Sequence, residues 1–560
     1  MINGAGVFQL TGKSADAKIV INAADNDKIA LVLSGVDLTS KSGAVIDCEN
    51  AKLLQIVSAS GTKNTLSDSE NYTFAANEDE PDAAVFSRCD TIYTAEDGGA
   101  LTINGNYKDA LKCKDGFSIE GGTLEVNSAD DGITGKDYVL ISSGIITVNA
   151  GGDGIKSTHD TDEKRGFVTI DDGEITINCA SDGIQAETNL TVNGGKITIK
   201  SGGDKADEEI SPSRDFLDFD NRGDKFRPTD FGGDIPEMPG DFTRPEIPSN
   251  FSRTEMPDNL QNQSSAAQTT SDSSESMKGL KAGKNLTING GEITVTAADD
   301  SVHSNGDITV KNGSLSLSSC DDGIHADETL IIEGGKITIS KSFEALEGKN
   351  IEISGGEIDL TSADDGINAA GGDNGAALGF DPDSENYYLS ISGGNITINS
   401  EGDGLDSNGT VALSGGYVTV YGPTNGGNGA IDYEKSFAVS GGEMIALGAA
   451  QMAQAPSTLS QPCLSIFSNV SADSKIEVRD SAGNVIMSTT TPKSCGSLIF
   501  TSDKFKSGES YSIYANNTLL STVAATDGVS GGGASADSGM GGGNNRPGGF
   551  TRPGRNDFAA

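Results

Sequence analysis

An acidic residue recurs through this 560-residue chain at a nearly fixed interval. The positions are Asp109, Asp131, Asp153, Asp182 and Asp204, then Asp300, Asp322, Glu344, Asp365 and Asp403. A second acid precedes several of them: Asp130, Asp299, Asp321 and Asp364. One Asp before a Gly is ordinary turn chemistry. A column of them is another matter. If the repeat stacks, successive carboxylates lie about 4.8 Å apart, and each neighbouring pair repels by roughly 3 kcal/mol at an effective dielectric of 20, or about 1 kcal/mol when fully solvated. Such acids must splay into water, take up protons or bind cations. Calcium is the cation this pattern favours, because it accepts about six to eight carboxylate, carbonyl and water oxygens in loose geometry. The expected ligands, shared between adjacent coils, are Asp109, Asp130, Asp131, Asp153, Asp182, Asp321, Asp322, Asp364, Asp365 and Asp403.

Three residues after the acids runs a second column: Lys112, Thr134, Lys156, Gln185, His303, His325, Glu347, Asn368 and Asp406. It reads as outward-facing. Lys112, Lys156, His303 and His325 are the candidates for touching a sugar or its carboxylate, against the plainer reading of solvated surface. Lys156 or Lys112 is also the weak candidate base for a lyase reaction. β-Elimination at a uronate needs a metal to acidify the α-proton and a basic side chain to remove it.

The elements that must position these residues follow from an internal repeat. One unit reads GGKITI, a few polar residues, DDGI, then a short strand such as LTV. The Gly turn falls at Gly122, Gly144, Gly173, Gly195, Gly291, Gly313, Gly335, Gly356, Gly394, Gly416 and Gly442, with successive gaps of 22, 29, 22, 96, 22, 22, 21, 38, 22 and 26. The recurring gap is 22, and the longer ones read as loops inserted into single coils. Ile175 and Ile177, Ile197 and Ile199, or Ile396 and Ile398 flank a Thr after each turn, which is the period of a strand with one buried face. Leu190 to Val192 and Leu286 to Ile288 are second strands. Ile133, Ile155, Ile184, Ile324, Ile367 and Leu405 supply a third apolar point. Three apolar points per coil predict an all-β, right-handed parallel β-helix over residues 1–204 and 278–455. Strands at Ile19 to Ile21, Ala30 to Leu33 and Leu53 to Val57 extend it N-terminally. Residues 205–277, rich in Asp, Pro, Ser and Phe, read as a disordered insertion, and 526–560 as a Gly-rich disordered tail. Residues 456–525 hold about five short strands and form a small β module or cap.

Composition narrows the partners. Acidic residues number 82 against 39 basic, for a formal net charge of -43. Nucleic acid and anionic membranes, which need clustered Lys and Arg, are excluded. No run approaches the roughly 20 apolar residues of a membrane span. Met1 to Leu10 has neither a basic region nor a long apolar run and does not read as a signal peptide. The cysteines number 7, so at least one has no intrachain partner; Cys463 and Cys495 are placed to bridge, and the others read as small buried apolar residues. A monomer is expected.

Several segments carry a family resemblance. KIALVLSGVDLTSKSGAVI (28–46), NTLSD (64–68), EPDAAVFSRCD (80–90), ALTINGNYKDALKCKDGFSIEGG (100–122), SADDGITGKD (128–137) and AGGDGIKSTHD (150–160) are similar to the secreted carbohydrate-binding β-helix proteins of Gram-positive bacteria. Those proteins are related in fold to calcium-dependent pectate lyases. The resemblance covers roughly residues 5–455. It implies an extracellular or cell-surface location, calcium between coils, and binding of plant polysaccharides such as cellulose or polygalacturonate without clear catalysis. Trp is absent, which counts against flat glucan stacking, although 11 Tyr remain. Two other functions compete: a calcium-dependent pectate lyase, and a structural cell-surface adhesin.

Overall fold

The structure, a computed structural model, describes residues 1–74, 79–210, 276–370 and 387–525. The chain divides into two units, Met1–Ile210 with Ser276–Ala560, and Ser211–Glu275. The second unit lies outside the described residues, as do the expected tail and nearly all of the expected insertion.

The first unit is a parallel β-helix whose coils each contribute three strands. One coil shows the plan: Ile184–Ala186, Asn189–Val192 and Lys196–Ser201. Each strand pairs in parallel with its counterpart in the next coil, as in Ile184↔Leu280, Leu190↔Leu286 and Ile197↔Ile293. The right-handed sense is the one that parallel crossovers take. Ile197 pairs with Ile293 in the same phase in which Ile175 pairs with Ile197. The long insertion therefore enters between coils without shifting the stack.

Alternation explains the packing. In Lys196–Ser201 the residues Ile197, Ile199 and Ser201 are buried while Thr198 is only half-buried. Ile175, Ile177, Ile197, Ile199, Ile293 and Val295 are at most 1% exposed and stack into one continuous core. Each such side chain contributes about 1.5–3 kcal/mol by leaving water. The eleven turn glycines named above all have positive φ, from 76° at Gly442 to 126° at Gly144 and Gly173, a region that L side chains avoid.

A second set of glycines, those after the column acids, has another reason. A Cβ at Gly183 would lie 2.4 Å from Ile199 Cγ2 and 2.5 Å from the Gly279 carbonyl oxygen, and Gly132 and Gly154 are equally tight. Close approach of the next coil, rather than turn conformation, selects Gly here. Ser301 and Ala345 occupy the same register in other coils, so the limit is one of size.

The C-terminal module departs from expectation in three ways. It has six strands, Cys463–Val470, Ser474–Arg479, Val485–Thr491, Cys495–Thr501, Ser510–Ala515 and Thr518–Ala524, of which Val485–Thr491 was not anticipated. Its strand Cys495–Thr501 runs antiparallel against Ser436–Gly448, the last long strand of the helix, and covers an edge that would otherwise invite pairing. The expected Cys463–Cys495 bridge does not form. Cys463 pairs with Thr501 and Cys495 with Val470, at opposite ends of the same ladder, and the two thiols form no disulfide.

Gly183→Val should lower stability by about 1–3 kcal/mol through overpacking against the Gly279 coil, read as a lower urea midpoint.

Candidate functional site

The acids and the residues after them meet along the stack of three-residue strands. Asp131, Asp182, Asp300, Asp322, Asp365 and Asp403 form one recessed row, each between 1% and 8% exposed, and the half-buried Asp153 stands in the same row. They share a hydrogen-bonding habit. The Asp153 N–H donates to Asp131 Oδ1 at 2.9 Å, and the Asp182 N–H to Asp153 Oδ1 at 3.0 Å. The Asp322 N–H likewise donates to Asp300 Oδ1 at 3.0 Å, the Glu344 N–H to Asp322 Oδ1 at 3.1 Å and the Asp403 N–H to Asp365 Oδ1 at 2.6 Å. One carboxylate oxygen thus caps the backbone of the following coil, and the other is left for a cation.

Lysine supplies most of those cations, and two histidines lie beside the middle acids. Lys112 Nζ lies 3.2 Å from Asp109 and 2.8 Å from Asp82. Lys156 bridges Asp131 and Asp153, the latter at 3.1 Å. Lys281, which the insertion concealed from spacing analysis, sits 2.8 Å from Asp182. His303 and His325 follow, 2.9 Å from Asp300 and 3.2 Å from Asp322. The column read as outward-facing is therefore turned onto the acids. Parallel stacking places it within reach of two coils of carboxylate, and this corrects its reading as a free sugar-contacting surface.

Asp204 is a further correction. It lies in the short 3-10 turn Gly203–Asp207, outside the row. Its place belongs to Lys278, whose N–H takes Asp182 Oδ1 at 2.8 Å and whose Nζ reaches Asp299 at 2.9 Å and Asp300 at 2.5 Å.

Beyond His325 the pattern changes. The residues after the acids become Glu347, Asn368 and Asp406, paired in that order. Oxygens of Glu344, Asp364 and Asp365 lie within 4.8 Å of one another. Asn368 donates Nδ2 to Glu344 at 2.8 Å, while its own buried Oδ1 accepts no hydrogen bond. The groups Asp109, Asp130 and Asp131, and Asp299, Asp300 and Asp321, also converge, but a lysine already reaches each. The donors at Glu344, Asp364, Asp365 and Asn368 are all oxygens, as calcium requires.

A family model described as a carbohydrate-binding domain-containing protein matches residues 1–323 and 318–533. The chain belongs to that carbohydrate-binding family. A relative from Acetivibrio thermocellus with the same description is 31% identical over 128 residues, 23% of this chain and 44% of the relative. The chain thus spans less than half the length of that curated relative. A solved structure described as a polysaccharide lyase-like protein from C. thermocellum, a gadolinium derivative, is 30% identical with a TM-score of 0.35, over 36% of this chain and 81% of that one.

A carbohydrate-binding chain needs a surface that offers hydroxyls, amides and a ring. One groove does so, where the six-residue strands meet the C-terminal module. Thr338, Asp359 and Thr397 lie side by side on Lys336–Lys341, Glu357–Ser362 and Asn395–Ser400. Ile339, Ser340, Leu360, Thr361, Asn399, Tyr421 and Pro492 complete the lining, which holds no Lys or Arg. Asn399 Oδ1 has no hydrogen-bond partner, and the Tyr421 hydroxyl is tied to Thr489 at 2.5 Å. None of these residues belongs to the acid column, and spacing analysis missed them because Thr and Asn are the default outward residues of the strands. Its one aromatic ring is Tyr421.

Burial shapes the protonation of the column. It pushes Asp109 up to about 7, although Lys112 opposes it. Burial and the neighbouring Asp322 push Asp321 to about 7. Glu344, Glu347 and Asp365 are pushed well above the carboxylate range by burial and then by neighbouring acids, Asp322 foremost at Glu344 and Glu347 and Glu344 at Asp365. At Lys156 the effect of burial is outweighed by Asp131 and Asp153, which hold the ammonium charged. Lys112 is held charged by Asp109 and Asp82 in the same way. A lysine kept protonated is a poor base, so neither is poised for β-elimination.

A carboxyl with a raised folded-state pKa binds more protons folded than unfolded. Its stabilisation is complete below its ordinary value of 3.8 and is lost as pH rises through about 7. In EDTA the melting temperature should therefore fall between about pH 5 and about pH 8, and Asp321→Asn should reduce the fall. A flat profile would count against a dehydrated acid row.

Proposed function

We propose that this chain is an extracellular, calcium-binding carbohydrate-binding protein that holds plant-type polysaccharide, cellulose- or polygalacturonate-like, without cleaving it. The observation that carries this reading is the Tyr421 groove. It joins an aromatic ring to a row of hydroxyl and amide groups on a rigid sheet face, the usual equipment for gripping a polyhydroxylated chain. With Asp359 as its charged group, the groove suits a neutral glycan directly and an anionic one through a bridging cation.

Calcium enters at Glu344, Asp364, Asp365 and Asn368. There it would take the orphaned Asn368 oxygen and the clustered carboxylates as ligands and offset their mutual repulsion. Bound there, it would stiffen coils adjoining the groove, since Asp359 and Thr361 lie on Glu357–Ser362, between Glu344 and Asp365 in the chain. The millimolar calcium outside cells is the range in which extracellular modules bind it.

A pull-down on insoluble cellulose and on pectin gel, with calcium and with EDTA, tests both parts. Retention without new unsaturated uronate ends is expected, and Tyr421→Ala should weaken it about tenfold, close to 1.4 kcal/mol. Asp365→Asn should weaken calcium binding without abolishing the fold. New unsaturated ends would make the chain a lyase, and absence from both polymers would favour the adhesin.

A further inference from the structure

His303 and His325 are two of only 3 histidines in the chain, yet they stand in register on adjacent coils. Their ring centroids are 5.0 Å apart, and each residue is 8% exposed. Both rings turn Nδ1 inward. His303 Nδ1 is 2.9 Å from Asp300 Oδ2, and His325 Nδ1 is 3.9 Å from the same oxygen. Both turn Nε2 outward, His303 to Asn305 Oδ1 at 3.0 Å and His325 to Asp327 Oδ1 at 3.5 Å. With the proton held on Nε2 by such outer acceptors, each ring can turn its Nδ1 lone pair toward a cation, the arrangement seen for metal-ligating histidines.

The inner side shows a deficit. His303 Nδ1 is buried and lies 2.9 Å from Asp300 Oδ2 without the alignment of a full hydrogen bond, so the pair is only partly satisfied. Three carboxylates crowd the two rings, because Asp322 and Glu347 lie 3.2 and 3.0 Å from His325 Nδ1. Lys278 serves Asp300 but can keep Asp299 instead.

We propose that Asp300 Oδ2, His303 Nδ1 and His325 Nδ1 bind a zinc-type divalent ion, with Asp322 or Glu347 supplying a further oxygen. Ligand atoms about 2.0–2.1 Å from a tetrahedral zinc lie about 3.3 Å from one another. The two distances to Asp300 Oδ2, 2.9 and 3.9 Å, bracket that value, and all three ligand atoms lie within 4.8 Å. Two imidazoles and a carboxylate select zinc, nickel or cobalt over calcium, which prefers oxygen throughout. The site is therefore chemically distinct from the all-oxygen cluster at Glu344, Asp364 and Asp365, and each can fail without the other.

Tag-free protein stripped with EDTA is titrated with Co²⁺ and then Zn²⁺. One equivalent of Co²⁺ should develop visible d–d absorption, Zn²⁺ should displace it, and excess Ca²⁺ should not. His303→Ala and His325→Ala should each abolish the band. Asn305→Ala, which alters only the outer partner and should leave the coil intact, should weaken binding about tenfold. No absorption, absorption unchanged in the histidine variants or in Asn305→Ala, or a sulfur charge-transfer band placing the ion at Cys320 would overturn the proposal. The histidines would then serve only as protonated counter-charges.

Discussion

A parallel coil sets each residue on the equivalent residue of the next coil, about 4.8 Å away. Everything else in this molecule follows from how well each side chain tolerates that company. Isoleucine tolerates it best. Ile175, Ile197 and Ile293 stack without a break and keep one another dry. Asparagine is self-complementary, as the amide ladder through Asn104, Asn127, Asn149 and Asn178 shows, with contacts of 3.0, 2.9 and 3.2 Å. Glycine stacks where the backbones come too close for a Cβ.

Aspartate is the exception, and the molecule deals with it by degrees. One oxygen of most column acids is absorbed by the backbone of the next coil. The second is met by lysine in the N-terminal coils and by histidine in the middle ones. At Glu344, Glu347 and Asp365, burial and mutual repulsion favour protonation or an added cation. The acid row is thus a graded series whose chemistry changes along the stack: built-in ammonium, imidazole, then an all-oxygen cluster. The groove lined by Tyr421 lies beside the coils that carry the all-oxygen cluster.

Much of this was legible in the residues. The eleven Gly turns, the Ile-Thr-Ile strands and the Asp-Gly steps announce a coil of about 22 residues, because a solenoid reuses one local solution and so prints its period in the chain. The row of acids was visible for the same reason. Spacing analysis failed where an insertion broke the count. Asp204 kept the arithmetic but lost the place to Lys278, and Lys281 went unseen.

Local pattern determined strand, turn and core in this protein, since those depend on neighbours a few residues or one coil away. The tertiary structure alone decided which charged residue faces which. Lys112, Lys156, His303 and His325 look like surface residues in one dimension, but stacking brings each against carboxylates of two coils. It also decided the groove, whose floor comes from three coils and whose wall, Pro492, comes from a module nearly a hundred residues further along the chain. Partners so far apart in the chain leave no periodic trace in it, so only the folded coordinates bring them together.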